Sequence, residues 1–442
     1  MTPEEFALKT SRNFVKALER TQYYSTDQMQ AYQRKLLGPL LRHARAEVPF
    51  YKTRLLPLFN KDDDIRWEAW TDIPTFTRKE AHEAGSDLFA KTYPPQMGKP
   101  VKGYSSGSTS TPFMYLTNGT MGIMASSLGQ RLFDWYGIDT DGKMAFIVDT
   151  HERFPYPDGG VGVNWNLDNP DAQAFQLSVS ASIEDKLEWM QRVQADHLVT
   201  YPAIGLAIAE LAVEIGVKVP FKNFISQGEV LTPDARTRLE SEYGVNVFDR
   251  YGSSEISAIS AQCPDVPGRH HQFAEACLIE TLELDSDLPM ESGRGRLVTT
   301  PFYNYAMPLI RYENQDQVDI TDQTCSCGRT LPVIRQILGR ERNVFIYEDG
   351  SRSWPFLNMK EMVALIPAYQ MQTIQKTHRD IEILYVRDQN LSHFDPEGLQ
   401  TLMRNRLHPS INLKVIEVSE IPRSPSGKFE AWISLVSQET GG

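Results

Sequence analysis

With 442 residues, the chain is longer than one hydrophobic core supports, because single cores stop growing near roughly 250 to 300 residues. Two domains are therefore expected. Apolar residues make up 41% and charged residues 23% of the chain, which excludes wholesale disorder and fibrous repeats. The formal charge of −12 would repel a phosphate backbone or an anionic lipid surface, which argues against nucleic acid and membranes as partners.

The amino-terminal segment and the cysteine count predict a cytoplasmic location. The opening "MTPEEFALKTSRNFVKALER" is typical of a mixed-charge amphipathic helix rather than a signal peptide, and no apolar run approaches the roughly eighteen residues that span a bilayer. Four cysteines cannot form a disulfide framework in a chain of this length. In a reducing compartment, clustered cysteines such as Cys325 and Cys327 indicate metal binding or catalysis.

The first hundred residues are predicted to be helical and irregular by turns, and to wrap a larger sheet. "DQMQAYQRKLLGPLLRHARAEVPFY" is amphipathic as far as Pro49, and "TFTRKEAHEAG" resembles a short capped helix. From residue 144 onward, short apolar runs alternate with helical patterns. That alternation predicts parallel strands covered on both faces.

Residues 182–250 give the clearest pattern, a β-α-β-α-β run. Ser182 and Asp185 have capping-box spacing before a helix, and "HLVTY", "FKNFIS" and "VNVFDRYG" are predicted strands. In the helix "TPDARTRLESEYG", Thr232 can cap, Pro233 occupies the first turn and Gly244 can close the end. A doubly wound sheet is therefore predicted, with its ligand outside the carboxyl ends of the strands.

Polar clusters follow two of these strands, "QGE" at residues 227–229 and "YGSSE" at residues 251–255, so both should open onto one crevice. Earlier in the chain, "GYSSGSTSTP" holds six hydroxyls and two glycines within residues 103–112. Such a stretch is either an ordinary turn or a phosphate cradle of backbone amides and hydroxyls. Beyond residue 340 the order hairpin, helix, strand, strand, helix, strand predicts a small α+β domain of ferredoxin-like type. We expect domains at 1–339 and 340–442.

Six segments resemble, in this order, the signature of the adenylate-forming enzymes. They are "SSGSTSTP", "QGE", "DRYGSSE", "PLIRYENQDQ", "GRERN" and "PRSPSGK". This superfamily includes acyl-CoA ligases, luciferase-like enzymes and peptide-synthetase adenylation domains. The short N-terminal region, "CSCGRTLP" and "GRHH" resemble the phenylacetate-CoA ligase branch. The fold class implied is α/β, with doubly wound mixed or parallel sheets and a β-rich subdomain in the large domain. The small C-terminal domain is expected to move.

The resemblance implies a nucleotide site assembled from distant parts of the chain. The loop that would hold the β- and γ-phosphates of ATP comprises Ser105, Ser106, Gly107, Ser108 and Thr109. The residues expected around adenine and ribose are Gly228, Glu229, Asp249, Tyr251, Gly252, Asp316 and Arg340. Tyr251 would cover one face of the adenine, and Asp316 would accept the ribose hydroxyls.

The resemblance also implies three catalytic residues. Ser254 would contact the α-phosphate, Glu255 would bind Mg²⁺, and Lys428 would reach over from the small domain to the phosphate that reacts. Preorganised charge at that phosphate typically contributes about 3 to 4 kcal/mol to catalysis. Arg342 would lie at the hinge between the domains.

The sequence departs from the family pattern at several of these positions. Ser254 stands in place of the usual Thr, and Gln315 replaces the Gly before the ribose-binding Asp. In the phosphate loop, Ser110 stands in the position of a usual Gly, and Thr111 leaves no Lys at the next position. Arg342 occupies a position that is more often Asp or Lys. A residue other than Gly costs roughly 1 kcal/mol wherever the backbone requires a positive φ.

A zinc site is a further expectation, with Cys263, His270, Cys325 and Cys327 as an S₃N ligand set. His271 is the competing nitrogen donor. The alternative interpretation is three buried cysteines and a solvated histidine. Cys277, in the apolar run "EACLIE", is expected in the core.

The resemblance implies that a carboxylic acid, with aryl or aryl-acetic acids favoured, becomes an acyl-adenylate and is passed to coenzyme A. Transfer to an amine or to a carrier-protein thiol is an alternative, and so is a zinc-bearing protein without catalytic activity. Relatives suggest a homodimer. Candidates for contact with the acid are His151, Phe154, Trp165 and Tyr201, on aromatic or loop-like segments.

Overall fold

The structure is a computed structural model that describes residues 3–104, 114–150, 153–162, 165–167, 169, 171–340, 344–353, 359–389, 391–421 and 429–436. Its helices are α1 (Pro3–Thr21), α2 (Thr26–Glu47), α3 (Tyr51–Arg54), α4 (Arg78–Ala84), α5 (Gly119–Tyr136), α6 (Ile183–Val193), α7 (Pro202–Glu214), α8 (Pro233–Thr237), α9 (Met359–Val363) and α10 (Pro396–Arg406).

The strands of the first half of the chain are β1 (Phe76–Thr77), β2 (Pro100–Tyr104), β3 (Met114–Asn118), β4 (Met144–Val148), β5 (Gly160–Val161), β6 (Ala174–Ser178), β7 (His197–Thr200), β8 (Asn223–Ser226), β9 (Asn246–Ser253) and β10 (Ser257–Gln262). Those that follow are β11 (His270–Gln272), β12 (Cys277–Leu282), β13 (Gly293–Pro301), β14 (Tyr312–Thr321), β15 (Val333–Arg340), β16 (Phe345–Ile346), β17 (Arg352–Ser353), β18 (Ala368–Gln375), β19 (Asp380–Arg387), β20 (Asn412–Val418) and β21 (Trp432–Ser434).

The parallel core of the large sheet has the order β9-β8-β7-β4-β6, with β5 antiparallel at its edge. The predicted doubly wound arrangement is confirmed. The Thr232 hydroxyl accepts a hydrogen bond from the Ala235 backbone N–H at 3.2 Å, as a cap should. The helix that it begins is shorter than predicted, since α8 passes into a π-helical turn over Arg238–Glu242.

The same sheet continues with antiparallel strands in the order β10-β11-β15-β14-β13-β12 and reaches thirteen strands with β1, which pairs with β14. This is the predicted β-rich part. The N-terminal helices cover it, as expected, and residues from α2 and α3 share one hydrophobic core with α5, β10 and β14. Tyr51 is fully buried there, and its hydroxyl donates to the Pro308 carbonyl at 3.0 Å.

The two faces of the parallel sheet pack against different helices. Phe224 and Val247 lie in a core with α6 and α7, whereas Ile225 and Phe248 pack towards α5. Tyr136 of α5 stacks on Phe248 with ring centroids 4.2 Å apart. Because side chains alternate along a strand, residues 227 and 250 continue the α5 face, and residues 226, 249 and 251 continue the opposite face.

The small domain has a four-stranded sheet of order β20-β19-β18-β21, with α9 and α10 contributing to its core. It differs from a ferredoxin-like sheet. The hairpin β16–β17 forms a separate sheet, and β21, which follows Lys428 in the chain, pairs in parallel with β18. To join the sheet, the β16–β17 hairpin would have to pair with β18 at the edge that β21 already occupies.

The fold class expected from the sequence is confirmed by these two bodies of sheet. The boundary at residue 340 stays a prediction. Among the helices that the structure describes, none has the length and apolar content that a bilayer crossing requires.

Candidate functional site

A crevice of about 800 Å³ opens at the carboxyl ends of the parallel strands. One wall carries Glu229, Tyr251 and Asp316 from the large sheet, and the other carries Phe429 and Trp432 from the small domain. This is the place that the doubly wound topology predicts for a ligand. The expected residues Gly228, Asp249, Gly252, Ser254 and Glu255 line the same crevice.

Tyr251 and Asp316, expected to bind adenine and ribose, are in direct contact. The Tyr251 hydroxyl donates a hydrogen bond to Asp316 Oδ2. The Asn314 side-chain amide donates to both, at 2.9 Å to the tyrosine oxygen and 3.0 Å to Asp316 Oδ2. These bonds fix the aromatic ring and the carboxylate relative to each other, and Asn314 is a member of the site that sequence reasoning missed.

Asp249 lies where the pairing of β9 with β8 ends, and two neighbours hold it there. Its Oδ1 accepts from the Ser226 hydroxyl at 2.8 Å, and its Oδ2 lies 3.3 Å from His270 Nε2. His270 therefore belongs to the crevice through Asp249. Its other ring nitrogen, Nδ1, lies 3.3 Å from the Ser260 hydroxyl.

Glu255 is a buried carboxylate, 4% exposed, beside the end of β9. The Tyr312 hydroxyl donates to its Oε1 at 3.0 Å. Tyr115 lies near Glu255. Burial is the main cause that raises the pKa of Tyr115, and the charge of the Glu255 carboxylate raises it further, while a hydrogen bond with Ser254 opposes the shift. Proteins bind Mg²⁺ through one or two carboxylates and complete its shell with substrate oxygens and water, and Glu255 supplies one such carboxylate at the crevice. The residues present therefore fit the ion.

Glu229 joins the large domain to the segment that follows Lys428. The Phe429 backbone N–H donates to Glu229 Oε1 at 2.5 Å, and the Ala203 N–H at the start of α7 lies 3.4 Å from Oε2. Gly228, just before Glu229, has φ of +79°, a conformation that favours glycine.

Several predicted residues lie outside the described residues: Ser105, Ser106, Gly107, Ser108, Thr109, Ser110, Thr111, His151, Arg342 and Lys428. For Arg340 the backbone is described and pairs with Asp316 across β14 and β15. Gln315, which replaces a family glycine, has φ of +66°. Gln315 therefore adopts a left-handed conformation just before Asp316, although glycine would adopt it at the lowest cost.

Four side chains form a compact cluster on the antiparallel part of the sheet, Cys263, His271, Cys325 and Cys327, with ligand atoms all within 4.8 Å of one another. Cys263 Sγ and Cys325 Sγ are 3.7 Å apart, and His271 Nε2 is 3.2 Å from Cys327 Sγ. Zn–S bonds of about 2.3 Å in a tetrahedron place sulfurs about 3.8 Å apart. The donors present therefore fit a zinc ion.

The choice of His270 as the nitrogen donor is wrong. Neighbouring residues of a strand point to opposite faces, so β11 directs His271 to the sulfurs and His270 to Asp249. Alternation along the strand could have made this choice from the sequence, once β11 was recognised. Cys277 is buried in the core, as expected.

Burial shapes the protonation of the cluster. It lowers the pKa of His271 to about 4 and raises the pKa of Cys263 to about 12. Burial also acts to raise the pKa of Cys327, but hydrogen bonds from Arg329 outweigh it, so that pKa is lowered. A metal ligand has to be a neutral imidazole or a thiolate, and the lowered pKa values of His271 and Cys327 favour these forms.

The candidates for contact with the acid lie in different places. Tyr201 is buried in the core beneath α6 and α7. Trp165 packs against Phe133 at 4.9 Å and His197 at 5.7 Å, at the amino end of β7 and so away from the crevice. Phe154 is partly buried under Gly160. A small apolar cavity, about 20 Å³, lies instead between α5 and β10.

Sequence reasoning also passed over two side chains at the strand ends. Arg250 donates from Nε to Gln227 Oε1 at 2.8 Å and also from a terminal nitrogen. Both residues neighbour predicted site residues along the chain. The alternation of β8 and β9 could have placed them together on the α5 face.

Comparisons with known proteins agree with this architecture. A family model described as the CapK C-terminal domain matches residues 356–434. The phenylacetate-coenzyme A ligase of Escherichia coli is 22% identical over 90% of this chain and 93% of its own length. The enzyme of the same name from Thermus thermophilus is 22% identical over 92% of this chain and 97% of its own length.

Among solved structures, 2-hydroxyisobutyryl-CoA ligase in the postadenylation state with 2-HIB-AMP superimposes with a TM-score of 0.73. It is 15% identical and covers 94% of this chain and 90% of its own. The chain therefore shares the fold of this CoA ligase. The similarity to phenylacetate-coenzyme A ligases over most of the chain supports the branch that the sequence motifs resemble and an AMP-forming acid–CoA ligase.

Proposed function

We propose that the protein uses ATP and Mg²⁺ to convert a carboxylic acid into an acyl-adenylate and transfers the acyl group to coenzyme A, with Lys428 as the catalytic cation. The observation that carries this proposal is the hydrogen bond from the Phe429 N–H to Glu229 Oε1. It docks the residue next to Lys428 on the segment expected to bind adenine.

The large-domain residues are suited to hold ATP for this reaction. Tyr251 and Asp316, locked together by Asn314, would bind adenine and ribose. Ser254 and Glu255 would lie at the α-phosphate, where Glu255 would hold Mg²⁺. The ion would supply positive charge at the phosphate oxygens.

The reaction balances in two steps. An oxygen of the acid attacks the α-phosphorus of ATP, and pyrophosphate leaves with the bonding electrons. Lys428 would stabilise the negative charge that builds on the α-phosphoryl oxygens. The thiol of coenzyme A, losing its proton, then attacks the acyl carbonyl, and AMP leaves with the oxygen that came from the acid.

Both steps need the same crevice, so the small domain has to withdraw Lys428 before the thiol enters. Such gating by domain motion is common in enzymes with mobile elements. The similarity to phenylacetate-coenzyme A ligases over most of the chain supports an aryl or aryl-acetic acid as the substrate.

We also propose that Cys263, His271, Cys325 and Cys327 hold a structural zinc ion. A set of four protein donors leaves no open coordination position for a substrate. The ion would tie β10 and β11 to the loop at Cys325 and Cys327 and so stabilise the β-rich part of the sheet.

Pyrophosphate exchange into ATP, measured over a panel of aryl, aryl-acetic and aliphatic acids, tests the proposed function. The wild-type chain should catalyse exchange with at least one acid, and Lys428→Ala should lower it by on the order of 100-fold or more, the loss typical of a charged group at the reacting centre. Lys414→Ala, which removes a surface lysine paired with Glu382, is the matched control. Equal exchange in the Lys428 variant would contradict the assignment.

A further inference from the structure

We infer that the acid substrate carries a second anionic group and that Arg250 binds it. The inference deepens the proposed function and rests on it, because it names the class of acid that the crevice accepts. Arg250 would act as a specificity-determining residue, since it touches the part of the substrate that does not react.

Arg250 is placed on the side of the sheet where an acid has room. Residues 225 and 248 face α5, and side chains alternate along β8 and β9. Gln227, just past the end of β8, and Arg250, on β9, therefore continue the α5 face, where they are partly exposed. Tyr251 and Asp249 turn the other way, so the nucleotide side chains and Arg250 lie on opposite faces.

The reacting end of the acid would be near this arginine. Arg250 precedes Ser254 by four residues, and an extended strand rises about 3.3 Å per residue, so the two backbones are at most roughly 13 Å apart. A small diacid can therefore lie close to both. One carboxylate would face the α-phosphate at Ser254 and the other would face the guanidinium.

What distinguishes Arg250 is its partner. The described structure gives its guanidinium hydrogen bonds to one group, the neutral Gln227 Oε1, and no ion pair with any described carboxylate. Four other arginines of the large domain that are buried or partly buried are matched with acids: the pairs are Arg131 with Glu275, Arg238 with Glu210, Arg296 with Glu313, and Arg311 with Glu280. Arg250 differs from them, because it lies at the crevice without a counter-charge among the described residues.

Electrostatics favour an anion at this position. Burial lowers the pKa of Arg250 to about 10, as expected for a cation in a poorly solvated site without an opposite charge. A carboxylate would restore the missing interaction, and the planar fork of a guanidinium matches two carboxylate oxygens. Gln227 contributes by orienting the fork through an oxygen that carries no charge.

Matched acids test the inference. Pyrophosphate exchange gives kcat/KM for phenylacetate, 4-carboxyphenylacetate and 4-carbamoylphenylacetate, and for butyrate and glutarate. The wild-type chain should prefer each diacid to its monoacid. Arg250→Met should lower the diacid-to-monoacid ratio by roughly 10- to 100-fold, the range that corresponds to a hydrogen bond between charged groups.

Two further variants keep the test decisive. Arg250→Lys retains the charge but not the fork, so its ratio should fall between those of the wild type and Arg250→Met; it also serves if the methionine variant does not fold. Arg192→Met removes a surface arginine paired with Glu188 and should leave the ratio unchanged.

The outcomes separate the inference from the function beneath it. Equal use of monoacids and diacids by the wild type, or a ratio that Arg250→Met does not change, overturns the inference and leaves the acid ligase intact. Equal preference for the neutral carbamoyl acid and the diacid overturns the requirement for an anion. Absence of exchange with every acid overturns both.

Discussion

Removing the backbone N–H of residue 429 should impair adenylate formation selectively. Phe429→Pro deletes the donor that bonds Glu229 Oε1, because proline has no N–H. A hydrogen bond to a charged acceptor contributes about 1.5 to 3 kcal/mol, which corresponds to roughly a 10- to 150-fold loss in the rate of the step that requires the bond. Glu229 is partly exposed, so water can replace part of the interaction, and the lower end of that range applies.

The assay compares the two half-reactions. Pyrophosphate exchange reports adenylate formation, and thioester formation from synthetic acyl-adenylate and coenzyme A reports the second step. Phe429→Pro should slow exchange by about 10-fold or more and leave the second step close to the rate of Phe429→Ala, which keeps the N–H. Glu229→Gln retains an acceptor but loses its charge, so exchange should fall by only about 5-fold.

A double variant shows whether the two groups act on each other. If the Phe429 N–H and the Glu229 carboxylate form one interaction, Glu229→Gln combined with Phe429→Pro should be little worse than Phe429→Pro alone. Exchange by Phe429→Pro that equals exchange by Phe429→Ala would refute the reasoning. An equal loss in both half-reactions would also refute it, since a docking contact for adenylation should not govern the thiol step.

The remaining predictions concern stability. Metal analysis of the purified chain should find about one zinc per chain, because a closed site of four donors holds one ion. Cys325→Ser should remove that metal and lower the melting temperature. A native chain without zinc would contradict the proposed site. Glu275→Gln should reduce the free energy of unfolding in urea by about 3 to 5 kcal/mol, because it leaves the buried Arg131 without a charge partner. Combining Glu275→Gln with Arg131→Met should recover part of this loss. A loss of less than about 1 kcal/mol for Glu275→Gln alone would contradict the prediction that the buried pair is needed for stability.

The parallel half of the fold was predictable because its signals are local. Thr232 and Pro233 mark the start of a helix by chemistry that acts within one turn. Buried strands such as β7 are short apolar runs with turn residues on both sides. The contribution of β21 to the small sheet was not predictable in this way, since a parallel pairing with β18 depends on residues far apart in the chain.

The residues of the candidate site also differ in whether their signals are local in the sequence. Tyr251, Glu255 and Asp316 could be predicted because they stand in segments that resemble known motifs. Asn314 and the pair of Gln227 with Arg250 emerge only when two strands are aligned, because each acts through a residue on a neighbouring strand or at a distance in sequence. The nitrogen donor near the sulfurs is His271 and not His270, because His271 lies on the face of β11 that meets the cysteines. Residue spacing alone does not show which face that is, since it depends on how the strands pair.

Transfer of a labelled oxygen tests the central claim most directly. A carboxylic acid that the enzyme uses, carrying ¹⁸O in its carboxylate, is converted to the thioester in the presence of ATP and coenzyme A, and the products are analysed by mass spectrometry. Attack on the α-phosphorus predicts that the AMP released carries one ¹⁸O derived from the acid. Label in inorganic phosphate, or AMP without label, would contradict activation through an acyl-adenylate.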